Sequence, residues 1–271
     1  MTLIEAFKTA REVRLAARSG AFRGSTTGQC DQYIQANLII VPSKYAKDFR
    51  GLCQRNPVSC PLLAESPAPG DPTFPEVAKD CDVRKDAPGY NIYVNGKATQ
   101  IDVPNIDSLW TEDSVAFLIG CSFSFEGTLA TAGLIPRHTE LGINVPMYRT
   151  KAALMPSGVF GGNMVVSMRP YRGEEVEKVR DLTRPFSRTH GEPVAWGWSA
   201  VKALGITDIH TADFGDAPVF REGEVPVFWA CGVTPQLSVM SSPDVKGTVI
   251  GHAPGKMICL DLKCADILEQ Q

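Results

Sequence analysis

An apolar segment followed directly by an amphipathic one is the feature that most restricts the fold of this chain. Residues 33–42, YIQANLIIVP, place Ile34, Ala36, Leu38 and Ile40 on one face of an extended strand. From Leu38 onward both faces are apolar, which indicates a strand buried on both sides. The next segment, SKYAKDFRGLCQRN, has the pattern of a helix with a serine at its N-cap. A buried strand that leads into a helix predicts an α/β layer architecture.

Similar signals recur along the rest of the chain, and no internal repeat is visible in them. A hairpin is expected at 90–101, where Asn95-Gly96 suits a two-residue type I′ turn. Further strands are expected in NVPMYRT, GNMVVSMRPY, EVPVFWACG and KMICLDL. Helices are expected at 3–19 and in LWTEDSVAFLIGCSFSFEGTLATAGL, GEEVEKVRDLTRPF, SAVKALGI and TPQLSVM. Strand, strand and helix from about 144 to 186 indicate a small two-layer unit inserted in a larger one.

The composition is that of an ordinary globular chain of 271 residues, 44% hydrophobic, with a formal net charge of −3. The scattered basic residues argue against a nucleic-acid surface, and the apolar runs fall short of the roughly 20 residues that cross a membrane. With eight cysteines and no targeting pattern, we expect reduced thiols and a cytoplasmic location. The spacing of Cys53 and Cys60 fits no zinc motif, and GVFGGN lacks a phosphate-loop lysine, so we expect neither a metal nor a cofactor.

The segment GCSFSFE, residues 120–126, concentrates chemically active side chains directly after an apolar run. Ser122 and Glu126 fall on one side of the segment whether it is helical or extended. A carboxylate in an apolar setting has a raised pKa, which suits a general acid or base near neutral pH. We therefore predict Glu126, Ser122 and Cys121 as catalytic residues, with Glu126 as the acid or base. The alternative is a helix whose serine and glutamate meet solvent or cap a neighbour.

The segment VFWACGVTPQ combines an apolar strand with the start of a helix, because Thr234-Pro235 has the pattern of an N-cap and first helical residue. Such a turn presents free backbone N–H groups, which bind anions. Gly232 allows a ligand to approach the backbone closely. We predict Gly232, Val233 and Thr234 as substrate-binding residues, and the alternative is a turn without a ligand.

Two arginines lie on predicted strands among apolar neighbours, Arg149 in NVPMYRT and Arg169 in VVSMRPY. Such an arginine usually pairs with a carboxylate, either of the protein or of a ligand. Tyr148 and Asn144 add hydrogen-bonding groups to the first segment. We predict these four residues as substrate-binding, with an internal salt bridge as the alternative for the arginines. The pattern favours a structural role for His252, which lies in a turn before the last strand.

Six segments between residues 33 and 236 together resemble the DUF1445 family of hydro-lyases, also called the YcsI-like family. They are YIQANLIIVP, CQRNPVSCPLL, GCSFSFE, NVPMYRT, VVSMRP and VPVFWACGVTPQ. The resemblance covers nearly the whole chain. The same domain is similar to part of the mitochondrial D-glutamate cyclase of animals, which converts D-glutamate to 5-oxo-D-proline with loss of water. One departure is TTGQCDQYIQ, which stands where the family pattern has a Pro-Gly or Ala-Pro-Gly turn.

The resemblance implies a three-layer α/β part and a smaller two-layer α/β part, in agreement with the strand–strand–helix unit. We therefore predict a discontinuous main domain formed by residues 1–110 and 190–271. Residues 111–189 would form the inserted smaller domain. Assembly into a homo-oligomer is left open.

The resemblance also implies a hydro-lyase that acts on a small amino or carboxylic acid, with cyclisation of D-glutamate as the specific expectation. That reaction needs a base for the amine, an acid for the departing oxygen and donors for the tetrahedral oxyanion. The substrate carboxylate needs an anchor, most naturally an arginine. Two other functions stay open: a cyclic-amide hydrolase with Cys121 or Cys231 as nucleophile, and a carboxylate-binding protein without catalysis. A small acid is the expected partner in every case.

Overall fold

The computed structural model describes residues 6–268, which form a mixed α/β structure with two sheets. The strands are β1 (Tyr33–Pro42), β2 (Leu62–Glu65), β3 (Tyr90–Val94), β4 (Lys97–Val103), β5 (Ser114–Gly120), β6 (Met147–Ala153), β7 (Asn163–Arg172), β8 (Ala195–Trp196), β9 (Glu224–Ala230), β10 (Thr248–His252) and β11 (Ile258–Lys263). The α-helices are α1 (Ala10–Arg18), α2 (Ala46–Arg55), α3 (Phe123–Thr131), α4 (Arg137–Leu141), α5 (Val176–Thr183), α6 (Trp198–Leu204), α7 (Val233–Ser241) and α8 (Cys264–Leu268). The α/β class predicted from the sequence is confirmed, and the layering within it stays a prediction.

The two sheets draw their strands from different parts of the chain. The first has the order β2-β5-β1-β10-β3-β4 with β11 also paired to β1, and the second has the order β6-β7-β9-β8. Every strand pairing in the described part of the chain is antiparallel. Residues 111–189 thus contribute β5 to the first sheet, and residues 190–271 contribute β9 to the second. Sheet membership alone does not delimit a domain, so the predicted domain boundaries stay a prediction.

Four predicted helices differ from those observed. The helix predicted with a serine N-cap at 43 begins at Ala46, after a 3-10 turn, and the helix predicted with Thr234 as N-cap begins at Val233, so that Thr234 lies inside it. The helix predicted at 3–19 begins only at Ala10, because Thr9 and Glu12 form a capping box there; residues 3–5 lie outside the described residues. The segment predicted as mostly helical around 109–134 contains β5 before α3 begins. Alternate side chains of β5 pack into cores on opposite faces of the sheet. A run that is apolar on both faces cannot be distinguished from a buried helix by its pattern alone.

Within residues 6–268, no helix combines the length and apolar character that a membrane span requires.

The structure contains an internal repeat that is not visible in the sequence. In each copy, a long strand pairs with a later strand that turns directly into a nine-residue helix. In the first copy, β1 pairs with β5, Ala36 lies opposite Gly120, and α3 follows. In the second copy, β7 pairs with β9, Val166 lies opposite Ala230, and α7 follows. In both copies the first strand also leads through one 3-10 turn into a helix, α2 or α5.

Equivalent side chains make equivalent contacts in the two copies. The hydroxyl of Ser124 in α3 accepts a hydrogen bond from the backbone N–H of Gln35 at 3.0 Å. The hydroxyl of Thr234 in α7 accepts one from the N–H of Val165 at 2.9 Å. Each hydroxyl also donates to the carbonyl of the same strand residue. These contacts hold the first turn of each helix against its sheet.

Candidate active site

A pocket of about 230 Å³ lies where the two copies of the repeat meet. Its volume is below the roughly 300–1,000 Å³ of pockets that hold drug-sized ligands, so it suits a small metabolite. The side chains in its wall that carry hydroxyl, amide or imidazole groups are Asn37, Asn91, Tyr93, Ser122, Asn144, Gln236 and His252. The lining residues include no arginine or lysine, so the walls offer an acidic ligand hydrogen-bond donors rather than full positive charges.

Two strand-to-helix turns form part of the pocket wall. The residues concerned are Cys121, Ser122 and Phe123 at the start of α3, and Cys231, Gly232 and Val233 at the start of α7. The first N–H groups of a helix have no partner within the helix and carry a partial positive charge, which favours a bound anion. Two such termini at one cavity can therefore bind two carboxylates of the same ligand.

Asn37, in the middle of β1, occupies the space that a side chain at Gly232 would need. Its amide nitrogen lies 3.3 Å from the carbonyl oxygen of Ile119 and 3.2 Å from that of Gly120. Its amide oxygen lies 2.9 Å from Nε2 of His252. Because the amide nitrogen already faces two carbonyls, the oxygen is the acceptor and Nε2 of the imidazole is the donor.

His252 is consequently left with Nδ1 as its proton acceptor. Among residues 6–268, Nδ1 has no hydrogen-bond partner. Burial lowers the pKa of His252 to about 4, so the ring is neutral near pH 7. The sequence pattern favours a structural role for His252. The structure instead places it in the pocket wall, where its hydrogen bond with Asn37 determines which ring nitrogen carries the proton. A neutral imidazole with a free ring nitrogen can accept a proton from a ligand, and the lowered pKa makes it a weaker base than an exposed histidine.

Glu126 lies behind the pocket wall, in a buried cluster with Arg169 and His138. Its carboxylate accepts hydrogen bonds from Nε of Arg169, at 2.9 Å, and from a terminal nitrogen of the same guanidinium. Nε2 of His138 lies 3.1 Å from the same carboxylate. Burial raises the pKa of Glu126, but the charges of His138 and Arg169 and their hydrogen bonds outweigh burial and lower it to about 2. The raised pKa expected from the sequence is therefore wrong, because that expectation considered burial without these partners.

Ser122 connects this buried cluster to the pocket. A terminal nitrogen of Arg169 donates to the hydroxyl of Ser122 at 3.0 Å, and the other donates to Ser167 at 3.1 Å. The guanidinium is fully buried and lies over the rings of Phe125 and Trp229. Arg169 therefore faces protein groups, and its hydrogen bond to Ser122 joins it to a residue of the pocket wall.

The remaining predicted residues are distributed over two places. Asn144 lines the pocket. Tyr148 is buried away from the pocket, where its hydroxyl donates to the carbonyl of Ile209. Arg149 is exposed and lies 3.8 Å from Asp213. Together with Thr234, these two residues are not among the lining residues, although the guanidinium of Arg149 lies over the ring of Phe214, which is one of them. Their role in substrate binding stays a prediction.

The thiols predicted as candidate nucleophiles both line the pocket. Burial raises the pKa of Cys121 to about 12 and that of Cys231 to about 11. Both side chains are therefore protonated near neutral pH, which is unfavourable for direct nucleophilic attack.

Five polar residues of the wall were not predicted as site residues: Asn37, Asn91, Tyr93, Gln236 and His252. A signal for Asn37 was present, because a polar side chain in a strand predicted to be buried on both faces needs a buried partner. Gln236 occupies the position in α7 that Glu126 occupies in α3, so recognition of the repeat would have indicated it. Asn91 and His252 carry no comparable local signal.

The family model for D-glutamate cyclase matches residues 115–261, a range that includes both strand-to-helix turns. The chain is similar to a Schizosaccharomyces pombe protein, 49% identical over 254 residues that cover 93% of this chain and 83% of that protein. A Burkholderia cenocepacia protein is 47% identical over 260 residues, 96% of this chain and 98% of the relative. An Azorhizobium caulinodans protein is 48% identical over 256 residues, which cover 94% of this chain and 92% of that protein. Each of the three bears the name "Putative hydro-lyase".

Among solved structures, a nitrogen repressor-like protein of Methanococcus jannaschii aligns over 96% of this chain and 97% of that one, with a TM-score of 0.37 and 10% identity.

Proposed function

Because the chain belongs to the D-glutamate cyclase family, we propose that it is a lyase that removes water from a small amino dicarboxylic acid. The specific substrate we propose is D-glutamate, and the product is 5-oxo-D-proline. The observation that carries the proposal is the convergence of two helix N-termini and a neutral histidine on one small pocket. Each terminus can hold one carboxylate, which accounts for selection of a dicarboxylate by a pocket whose lining has no arginine or lysine.

His252 is the base in this proposal. The substrate amine must lose a proton before it can attack, and Nδ1 of His252 is the acceptor that the contact with Asn37 leaves free. The amine nitrogen then attacks the carbon of the side-chain carboxyl group and forms the ring C–N bond. The carboxyl oxygen departs as water with the second amine proton and the proton held by the imidazolium.

The helix N-termini stabilise the charge that develops on the carboxyl oxygens. Backbone N–H groups aimed at such a position are fixed by the fold, so they need no reorganisation during the reaction. The hydroxyl of Ser122 lies at the same turn and is held by Arg169, which Glu126 orients in turn. Glu126 is thus a positioning residue, and it is ionised at neutral pH.

The two alternative functions have less support from the geometry. A cysteine-dependent hydrolase needs a thiolate nucleophile, and burial keeps both pocket thiols protonated near neutral pH. A carboxylate-binding protein would not need the neutral histidine.

The test is turnover of D-glutamate, L-glutamate and D-aspartate, with the products resolved by chiral chromatography. We expect 5-oxo-D-proline from D-glutamate and no cyclic product from D-aspartate, whose shorter chain would close a strained four-membered ring. If D-glutamate raises the thermal midpoint of unfolding but no product forms, the protein is a carboxylate-binding protein and the proposal fails.

A further inference from the structure

We propose that the side-chain amide of Gln236 binds the substrate carboxylate at the start of α7, and that the absence of charge at this position lets the pocket accept an acid. The inference rests on the proposed function for its ligand class, a small amino dicarboxylic acid. It goes beyond that function, because it names a side chain that selects the acid over its amide.

Gln236 and Glu126 occupy equivalent positions in the two copies of the repeat. Each is the fourth residue of its helix and follows by two residues the hydroxyl that holds the helix against its sheet. In the first copy, the carboxylate of Glu126 reaches across to the second sheet and binds the guanidinium of Arg169 in β7. The corresponding position in the second copy carries an amide.

The residue of β1 that corresponds to Arg169 is Ile39. Arg169 lies three residues after Val166, which pairs with the last residue of β9. Ile39 lies three residues after Ala36, which pairs with the last residue of β5. Positions 236 and 39 therefore combine glutamine with isoleucine, where positions 126 and 169 combine glutamate with arginine. Both charges of the buried ion pair are absent together, and an apolar residue stands in place of the arginine.

The contact between the two copies is nevertheless kept on the side of Gln236. A Cβ on Gly251 in β10 would lie 2.6 Å from Nε2 of Gln236, so the amide lies directly over this glycine. Gly251 pairs with Ile39 on one side and with Asn91 on the other. The amide thus reaches the first sheet at the level of Ile39. Gln236 and Asn91 both line the pocket, so the amide borders the cavity where Glu126 meets a guanidinium.

Asn91 supplies a second uncharged donor beside Gln236. Its side-chain oxygen accepts a hydrogen bond from the backbone N–H of Asp102 at 2.9 Å. Its NH2 group is therefore the part of the amide that is directed elsewhere, and it lies 3.4 Å from the hydroxyl oxygen of Tyr93. An amide NH2 group has two hydrogens, so one of them remains for a ligand. Both residues line the pocket, which gives this corner hydrogen-bond donors without a positive charge.

The charge at position 236 decides which ligand this part of the pocket can hold. Side chains of a helix lean toward its N-terminus, so the amide of Gln236 lies on the side of Gly232, four residues earlier. The start of α7 attracts the same carboxylate through its backbone N–H groups and its partial positive charge. The described lining residues include no arginine or lysine, so a glutamate at 236 would face that carboxylate without a counter-ion. Glutamine instead donates a hydrogen bond to it.

Binding of glutarate and of its monoamide, glutaramate, to the full chain near neutral pH tests the inference. Each ligand carries two end groups for the two helix termini but lacks the amine, so it cannot cyclise during the measurement. Isothermal titration calorimetry gives the two dissociation constants. We expect the wild type to prefer glutarate, and Gln236→Glu to weaken glutarate binding about tenfold or more through like-charge repulsion. Glutaramate, which can turn its amide toward position 236, should change by less than about threefold, so that the preference inverts.

Gln54→Glu, which makes the same change at an exposed position of α2, is the matched control and should bind both ligands like the wild type. Gln236→Met keeps an uncharged side chain of similar length but removes the amide, and should weaken glutarate binding about tenfold. This second variant decides the question if Gln236→Glu fails to fold. Unchanged glutarate binding in either folded variant, or equal weakening of both ligands in Gln236→Glu, would overturn the inference.

Formation of 5-oxo-D-proline from D-glutamate is measured with the same proteins, so the two claims can fail separately. Cyclic product from the wild type, with no rise in KM in Gln236→Glu, would overturn the role of Gln236 and leave the cyclase standing. An inverted ligand preference without cyclic product from the wild type would support the role of Gln236 and contradict the cyclase. A wild type that binds neither glutarate nor glutaramate would overturn the inference as well.

Discussion

The amide oxygen of Asn37 lies 2.9 Å from Nε2 of His252, and this contact determines which imidazole nitrogen is available as a base. Asn37 can accept only because its amide nitrogen is turned toward the carbonyls of Ile119 and Gly120. The pair joins two neighbouring strands of the first sheet, β1 and β10, at the wall of the pocket. Asn37 thereby fixes the proton of His252, the proposed general base, on Nε2 and leaves Nδ1 as the acceptor.

His252→Gln should reduce the formation of 5-oxo-D-proline about 100-fold or more, because glutamine cannot take up the amine proton. The variant should keep its fold, since the amide group of glutamine can still donate to Asn37. Steady-state turnover is the measurement, and His210→Gln on the exposed surface is the matched control. Full activity in His252→Gln would exclude this residue as the base.

Gly232→Ala should disrupt the pocket, because a Cβ at this position would overlap the amide of Asn37. We expect a loss of about 1–3 kcal/mol in the free energy of unfolding and a loss of activity as Asn37 moves away from His252. Urea denaturation and turnover measure the two effects. Gly173→Ala, where the added Cβ meets open space, should change neither. An active Gly232→Ala variant of normal stability would show that the Asn37 contact is not needed.

Thr234→Val should cost about 1–3 kcal/mol of stability, because it leaves the buried N–H of Val165 without its acceptor. The equivalent change in the first copy, Ser124→Ala, should act in the same way on the N–H of Gln35. Neither change should alter KM for D-glutamate by more than about twofold, as both hydroxyls face the sheet. A raised KM at normal stability in Thr234→Val would instead support the substrate-binding role predicted from the sequence.

Glu126 should make the stability of the protein depend on pH in the acid range. Its pKa is about 2 in the folded chain against an ordinary value of 4.5, so the unfolded chain binds this proton more tightly. The stability that the carboxylate contributes is fully present above about pH 5 and is lost as the pH falls toward 2.

Urea denaturation between pH 2 and pH 7 tests this expectation in Glu126→Gln. At pH 7 the variant should be less stable by about 3–5 kcal/mol, since the charge of buried Arg169 loses its partner. The difference from wild type should shrink as the pH falls. Glu174→Gln, at an exposed carboxylate, is the matched control and should follow the wild type. A difference that does not vary with pH would contradict the lowered pKa.

Local signals in the sequence were sufficient to locate the two turns of the site. Cys121 and Ser122, like Gly232 and Val233, lie where an apolar strand passes into a helix, and such a transition is encoded by neighbouring residues. The same kind of signal identified most of the strands. It failed at β5, where a strand buried on both faces has no alternation to detect.

The partners of the predicted residues could not be derived from the sequence, because they depend on contacts between distant segments. Glu126 and Arg169 were both predicted as site residues, yet they bind one another behind the wall. Arg149 has the same strand pattern as Arg169 but is exposed, and its guanidinium lies 3.8 Å from Asp213 and over the ring of Phe214. Neither the repeat nor the shared pocket follows from local pattern, since the equivalent turns share a cysteine and differ at the next residue.

A structure of the protein with 5-oxo-D-proline bound tests the central claim most directly. We predict that the ligand lies between the starts of α3 and α7, with a carboxylate oxygen within hydrogen-bond distance of the backbone N–H of Ser122 or Gly232. Its ring nitrogen should face Nδ1 of His252. A ligand bound at any other surface, with this pocket empty, would contradict the account.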